Sequence, residues 1–90
     1  MKFEWDENKR RTNIAKHGID FDDVEAVFAD PKAHDAPSKG QHGELRRVRI
    51  GELVGHIITV VYTKRGDILR IISARVARKA ERALHGKRSD

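Results

Sequence analysis

Apolar and polar positions alternate with a period of two from Leu45 to Leu53. Arg46, Val48 and Ile50 fall on one face, Arg47 and Arg49 on the other. That period predicts a strand. From His56 to Lys64, Ile57-Ile58-Thr59-Val60-Val61-Tyr62-Thr63 is β-branched or aromatic on both faces, which suits a central strand. Ile68 to Ser73 makes a third. Val54-Gly55 and Arg65-Gly66-Asp67 are short enough for tight turns, so the three strands are expected to form an antiparallel meander.

The N-terminal half carries helical signals instead. Lys2 to Trp5 alternates as a short edge strand would. Asp6 is an N-cap, and a mostly polar helix follows through Asn8, Ile14 and His17 to Gly18, with Ile14 and Ala15 expected to face inward. Asp20 caps a second helix whose apolar stripe is Phe21, Val24, Val27 and Phe28, and Asp30-Pro31 ends it. The pair is expected to form a helical hairpin. Residues 31–43 show no period and predict an exposed loop, in which His34, Asp35 and His42 are incidental. Ser73 is expected to cap a last helix over Ala74 to His85, with Gly86 at its end.

The order is β-α-α-β-β-β-α. It predicts an α+β fold: a twisted antiparallel sheet with a helical hairpin and a C-terminal helix against one face. Ninety residues make one domain, 1–90, with 87–90 a frayed tail.

Composition narrows the function. With no cysteine there is no disulfide or thiolate site, and the five histidines lack zinc-ligand spacing, so neither metal nor cofactor is expected. No leader-like or membrane-spanning apolar run occurs, which predicts a soluble cytoplasmic protein. The net charge of +5 is unevenly spread: residues 1–45 sum to 7 − 10 = −3 and residues 46–90 to 12 − 4 = +8. In so small a domain the halves should become two faces. A basic face fits a polyanion; a mere solubility device is the plainer alternative.

The basic half places arginine among β-branched residues at Arg46, Arg47, Arg49, Arg65, Arg70 and Arg75. Guanidinium forks match phosphate oxygens, and Trp5 or Tyr62 could stack bases, so single-stranded RNA is the expected partner. About half of these arginines should instead pair with the acidic half. Cleaving RNA without metal needs a base for the 2′-hydroxyl, cations at the phosphorane and an acid for the 5′-oxygen. The arginines supply charge. His17 and His85 are the first acid–base candidates, with Glu44 and Lys9 after them. Each histidine has a plainer role as a surface or capping residue. A non-catalytic nucleic-acid-binding or regulatory module acting with a partner protein is the alternative.

Several separated motifs occur in order: Phe3-Glu4-Trp5-Asp6-x-x-Lys9-x-x-x-Asn13-x-x-Lys16-His17-Gly18-Ile19-x-Phe21, Glu44-x-Arg46 with Ile50-Gly51, Val60-Val61-Tyr62-Thr63-x-Arg65, and Arg70-Ile71-Ile72-Ser73-Ala74-Arg75 followed by Glu81-Arg82. Together, from residue 3 to about 85, they resemble the BrnT toxin family. The resemblance implies the ribonuclease toxin of a type II toxin–antitoxin system, RelE-like in fold, that inhibits translation. It also implies a BrnA-type antitoxin that masks the toxin and carries the operator-DNA-binding region of a higher-order complex. Transferred by position, Lys9, His17, Arg46, Arg65 and Arg75 are the implied functional residues, with Glu44 and Trp5 behind them. Arg75 would contact the scissile phosphate with Arg65 as its partner across the turn; Arg47, Arg49 and Tyr62 remain substrate-binding candidates. The family pattern has tyrosine where this chain has His85.

Overall fold

In the computed structural model, which describes residues 1–39 and 45–87, five strands form one sheet in the order β1-β5-β4-β3-β2. They are β1 (Lys2–Glu4), β2 (His34–Lys39), β3 (Leu45–Leu53), β4 (His56–Arg65) and β5 (Ile68–Val76). The meander of β3, β4 and β5 is antiparallel as expected, and β2 joins it antiparallel to β3. β1 lies parallel to β5, pairing Lys2 with Ile68 and Glu4 with Arg70, so the sheet is mixed rather than antiparallel. No tight turn links β1 to β5; most of the chain lies between them and leaves either direction open.

Helix α1 (Glu7–His17) starts where Asp6 accepts the amides of Asn8 and Lys9, and ends at Gly18, whose φ of 71° is the left-handed cap expected there. Its inward residue is the buried Asn13; Ile14 is 38 % exposed, against expectation. The second helix is broken. Asp20 caps a 3₁₀ turn, Phe21–Asp23, and α2 (Glu25–Ala29) follows it. The predicted stripe nevertheless packs: Phe21, Val24 and Val27 are almost fully buried, and Phe28 meets Phe3 and Tyr62 edge to face. α2 approaches β3 so closely at Gly51 that a Cβ there would lie 2.9 Å from Val27.

Two expectations fail at element boundaries. Within 31–43 the chain forms strand β2, with Asp35 opposite Arg49 and Pro37 opposite Arg47. The strand lacks an apolar period because it is an edge, where proline is tolerated and one side faces solvent. Residues 40–44, with His42 and Glu44, lie outside the described ones. At the other end, Ser73 to Val76 continues β5, pairing as far as Ile58 with Val76, and helix α3 spans only Lys79–Arg82. Ladder pairing with β4 outweighs the helix propensity of this stretch, and Arg78 rather than Ser73 begins the helix.

Alternation then sorts the side chains. Ile58, Val60 and Tyr62 of β4, with Leu69, Ile71 and Ala74 of β5, face α1 and α2 and complete the core with Ile19, Phe21, Val24 and Val27. The second face carries Arg46, Val48 and Ile50 of β3, Thr59, Val61, Thr63 and Arg65 of β4, and Arg70, Ser73 and Arg75 of β5. A bulge between Val61 and Tyr62 absorbs the extra residue of β5.

Candidate nucleic-acid interface and acid–base cleft

Among the described residues, a helix covers the second face at one end. There Arg75, a strand residue and not the first residue of a helix, donates both terminal nitrogens to Glu81 of α3, at 2.7 and 2.9 Å. Glu81 also accepts the amide of Arg78 at 2.8 Å, and the Thr59 hydroxyl lies beside it. The Arg75 hydrogen bonds hold the Glu81 carboxyl down at about 2, and the same contact raises Arg75 above its ordinary value. Arg75 therefore fastens α3 to the sheet, over the buried Thr59 and Ile50.

The other end of this face, where Thr63 is buried, carries no helix among the described residues and is basic. Arg65, exposed at the end of β4, pairs in register with Ile68; Thr63 pairs with Arg70. Arg46 is half-buried on β3 opposite Ser38. Arg70 reaches Glu4 of β1 at 3.3 Å, tying the edge strand to the sheet. Arg65 and Arg75 do not meet. Arg75 pairs with Thr59, and the span from Thr59 to Arg65 along β4 is about 20 Å at the usual strand rise of about 3.3 Å. Arg75 is held on Glu81 instead.

Beyond α3 the chain reaches the segment that follows α2. His85 Nε2 lies 2.7 Å from Asp30 Oδ2, and the Gly86 amide donates to the Lys32 carbonyl at 2.9 Å. Asp30 also accepts the amides of Lys32 and Glu52. Burial pushes its carboxyl up, but the His85 contact and the two amide hydrogen bonds outweigh that and leave it below the ordinary value. With Asp30 ionised, Nε2–H donates to it and Nδ1 is left as the acceptor nitrogen of the neutral imidazole. His34, Lys32 and Lys87 line the same cleft of about 1040 Å³. In the sequence His34 falls in a stretch without period and Asp30 precedes a helix-ending proline, so neither position points to a site. The only sequence signals were their titratable side chains.

The remaining candidates fall elsewhere. His17, half-buried at the end of α1, shares a groove with His56 by the β3–β4 turn, away from His85. Lys9 is exposed on α1. Trp5 is half-buried and packs edge to face on Phe21 at 6.2 Å. Arg49 faces the helices and is engaged there, donating to the carbonyls of Val27 and Phe28 and to Asp35 at 2.6 Å. Tyr62 is buried and donates to Asp35 at 3.0 Å. Burial is the main reason its phenol is raised. Arg47 is exposed on the helix side of the sheet, not on the open face. Glu44 lies outside the described residues.

Among the described residues, no group of three or more histidine or carboxylate side chains is arranged to hold a metal ion, and no helix is long and apolar enough to cross a membrane. The chain finds no match among the curated proteins. A family model described as the ribonuclease toxin, BrnT, of type II toxin–antitoxin systems matches residues 5–81. That span contains β2 to β5, α1, α2 and the Arg75–Glu81 pair, so this chain belongs to the BrnT family of ribonuclease toxins.

Proposed function

We propose that this toxin is a cytoplasmic, RelE-like endoribonuclease that cleaves RNA without a metal ion and thereby inhibits translation, and that a BrnA-type antitoxin neutralises it in a complex that binds operator DNA. RNA lies along the open face of the sheet. Arg46 and Arg65 hold its phosphates at the basic end, through geometry that carries charge but no base identity. The strand then runs towards the cleft lined by His85, Asp30 and His34. Arg75 is a positioning residue: it keeps α3, and with it His85, over the sheet.

The observation that carries this reading is the His85–Asp30 contact of 2.7 Å beside His34. His85 Nδ1 removes the 2′-hydroxyl proton, O2′ attacks phosphorus, and the P–O5′ bond breaks as protonated His34 supplies a proton to O5′. The products are a 2′,3′-cyclic phosphate and a 5′-hydroxyl. Lys32 and Lys87 offset charge on the phosphorane. His17 and Lys9, by position, serve the approach of RNA or the antitoxin rather than the proton transfers.

The test is incubation of the purified protein with RNA in EDTA, with the 3′ ends of the products identified. Wild type should release cyclic phosphate ends. His85→Gln and Asp30→Asn should each lower the rate by roughly 10²–10⁴-fold, the scale of general acid–base catalysis. RNA that is bound but left intact would instead make the protein a non-catalytic binding module. Cleavage unchanged in both variants would move the proton transfers to other residues.

A further inference from the structure

Consecutive arginines of a strand point to opposite faces, so the basic end of the sheet is basic on both sides. Arg46 and Arg65 serve the open face. On the helix face, Arg47 and Lys64 stand over a separate cleft of about 380 Å³, walled by Phe28, Tyr62 and Leu69. Arg47 is directly opposite Tyr62 in register, and Lys64 lies two residues further along β4 on the same side. Diagonal neighbours of this kind are about 7–8 Å apart, close enough for two long cations to meet one phosphate.

The charges within the cleft do not cancel. Its carboxylate, Asp35, already accepts from Arg49 at 2.6 Å and from the Tyr62 hydroxyl at 3.0 Å. Arg47 and Lys64 are both exposed. The cleft thus offers a guanidinium fork and an ammonium at its mouth and an apolar wall behind them. That combination fits a phosphate carrying a flat or apolar body, which describes a nucleotide better than a free anion.

We infer that this helix-face cleft holds a nucleotide of the RNA, and that the strand bends around the basic end of the sheet from one face to the other. This deepens the proposed function and rests on its RNA substrate, though not on its catalytic assignments. It also sets the substrate class. A single strand can make the bend, because its backbone turns freely at each nucleotide. A duplex, stiff over about 50 nm in the case of DNA, cannot fold around the edge of a sheet. The RNA recognised is single-stranded, and the contact is sequence-tolerant because it is made through phosphate and an apolar wall.

The experiment is fluorescence anisotropy of the full chain with an RNA of about 12 nucleotides, within the usual range for single-strand sites, methylated at every 2′-oxygen so that no cleavage can occur. The single strand should bind at least about tenfold more tightly than the same strand annealed to its complement. Arg47→Ala and Lys64→Ala should each weaken binding about fivefold and lower the slope of log affinity against log salt by about 0.7. Arg46→Ala or Arg65→Ala should behave alike from the other face. Duplex bound as tightly as single strand, or Arg47→Ala and Lys64→Ala both binding as wild type, overturns the inference. Because the probe cannot react, loss of the His85 assignment leaves this readout untouched. Conversely, normal cleavage with wild-type binding by the two variants sinks the cleft alone.

Discussion

Asn13 of α1 stands in for a missing strand beside Ala74 of β5. Its Nδ2 donates to the Ala74 carbonyl at 2.8 Å, and its Oδ1 accepts the Ala74 amide at 3.1 Å. β1 pairs with β5 only as far as Arg70, so Ala74 would otherwise present unpaired backbone groups beneath a helix. A third hydrogen bond, from Nδ2 to the Ile19 carbonyl at 2.9 Å, fixes the chain after Gly18. Asn13→Ala leaves buried backbone groups without partners, and each such group costs about 1–3 kcal/mol. Urea unfolding should show a loss of about 3 kcal/mol; a change below about 0.5 kcal/mol would mean water replaces the side chain.

Gly51 is required for contact rather than for turn geometry. An added Cβ would sit 2.9 Å from both the Cγ1 and the carbonyl oxygen of Val27, and backbone cannot yield as a side-chain tip can. Gly51→Ala should therefore push α2 off β3 and destabilise by about 1–3 kcal/mol, as overpacking does. Thermal melting would check this. Restoration by Val27→Ala is not expected, since the carbonyl oxygen remains.

The Arg75–Glu81 pair gives an acid-sensitive component of stability. The Glu81 carboxyl is ordinarily near 4.5 and is held near 2 in the fold. A depressed carboxyl stabilises fully above its unfolded value, and that part is lost as pH falls from about 4.5 towards 2. At about 1.4 kcal/mol per unit, up to about 3 kcal/mol is at stake. Unfolding free energy measured at pH 7 and pH 3 should fall more for wild type than for Glu81→Gln. Equal falls in both would place the acid sensitivity elsewhere, with Asp30 the next group to test.

Val54 carries strain that serves neither the fold nor the proposed reaction. It has φ of 47° in the two-residue β3–β4 turn, ahead of Gly55 at 80°, and is 88 % exposed. A β-branched residue disfavours this conformation, whereas asparagine followed by glycine is preferred in such turns. Val54→Asn should raise stability by about 1 kcal/mol, the scale of a left-handed residue's penalty, with RNA cleavage unchanged. A lower melting temperature would show that the turn tolerates valine without strain.

Sequence periodicity alone determined the three-strand meander, its Val54-Gly55 and Gly66 turns, the Asp6 and Gly18 ends of α1, and the core stripe Phe21, Val24, Val27 and Phe28. These are local matters: a period of two or 3.6, a cap, a turn residue. The motifs also carried the family. What the sequence left undecided depends on pairing between distant segments. β2 has no period, and only its register with β3 makes it a strand. Ala74 to Val76 has helix-forming neighbours but is held by the ladder of β4. The direction of β1 is set by packing, because no turn constrains it.

The site divides the same way. Alternation on β3 correctly put Arg46 and Arg47 on opposite faces, and of the arginines expected to pair with the acidic half Arg49 and Arg70 do, whereas Arg75 pairs with Glu81 of the basic half. Chain order brought Arg65 and Arg75 near each other around a turn. The tertiary structure sets them about 20 Å apart, because residues flanking a hairpin turn diverge by about 3.3 Å with every step away from it. It joins His85 to Asp30 instead, across 55 residues, a contact no local rule can supply.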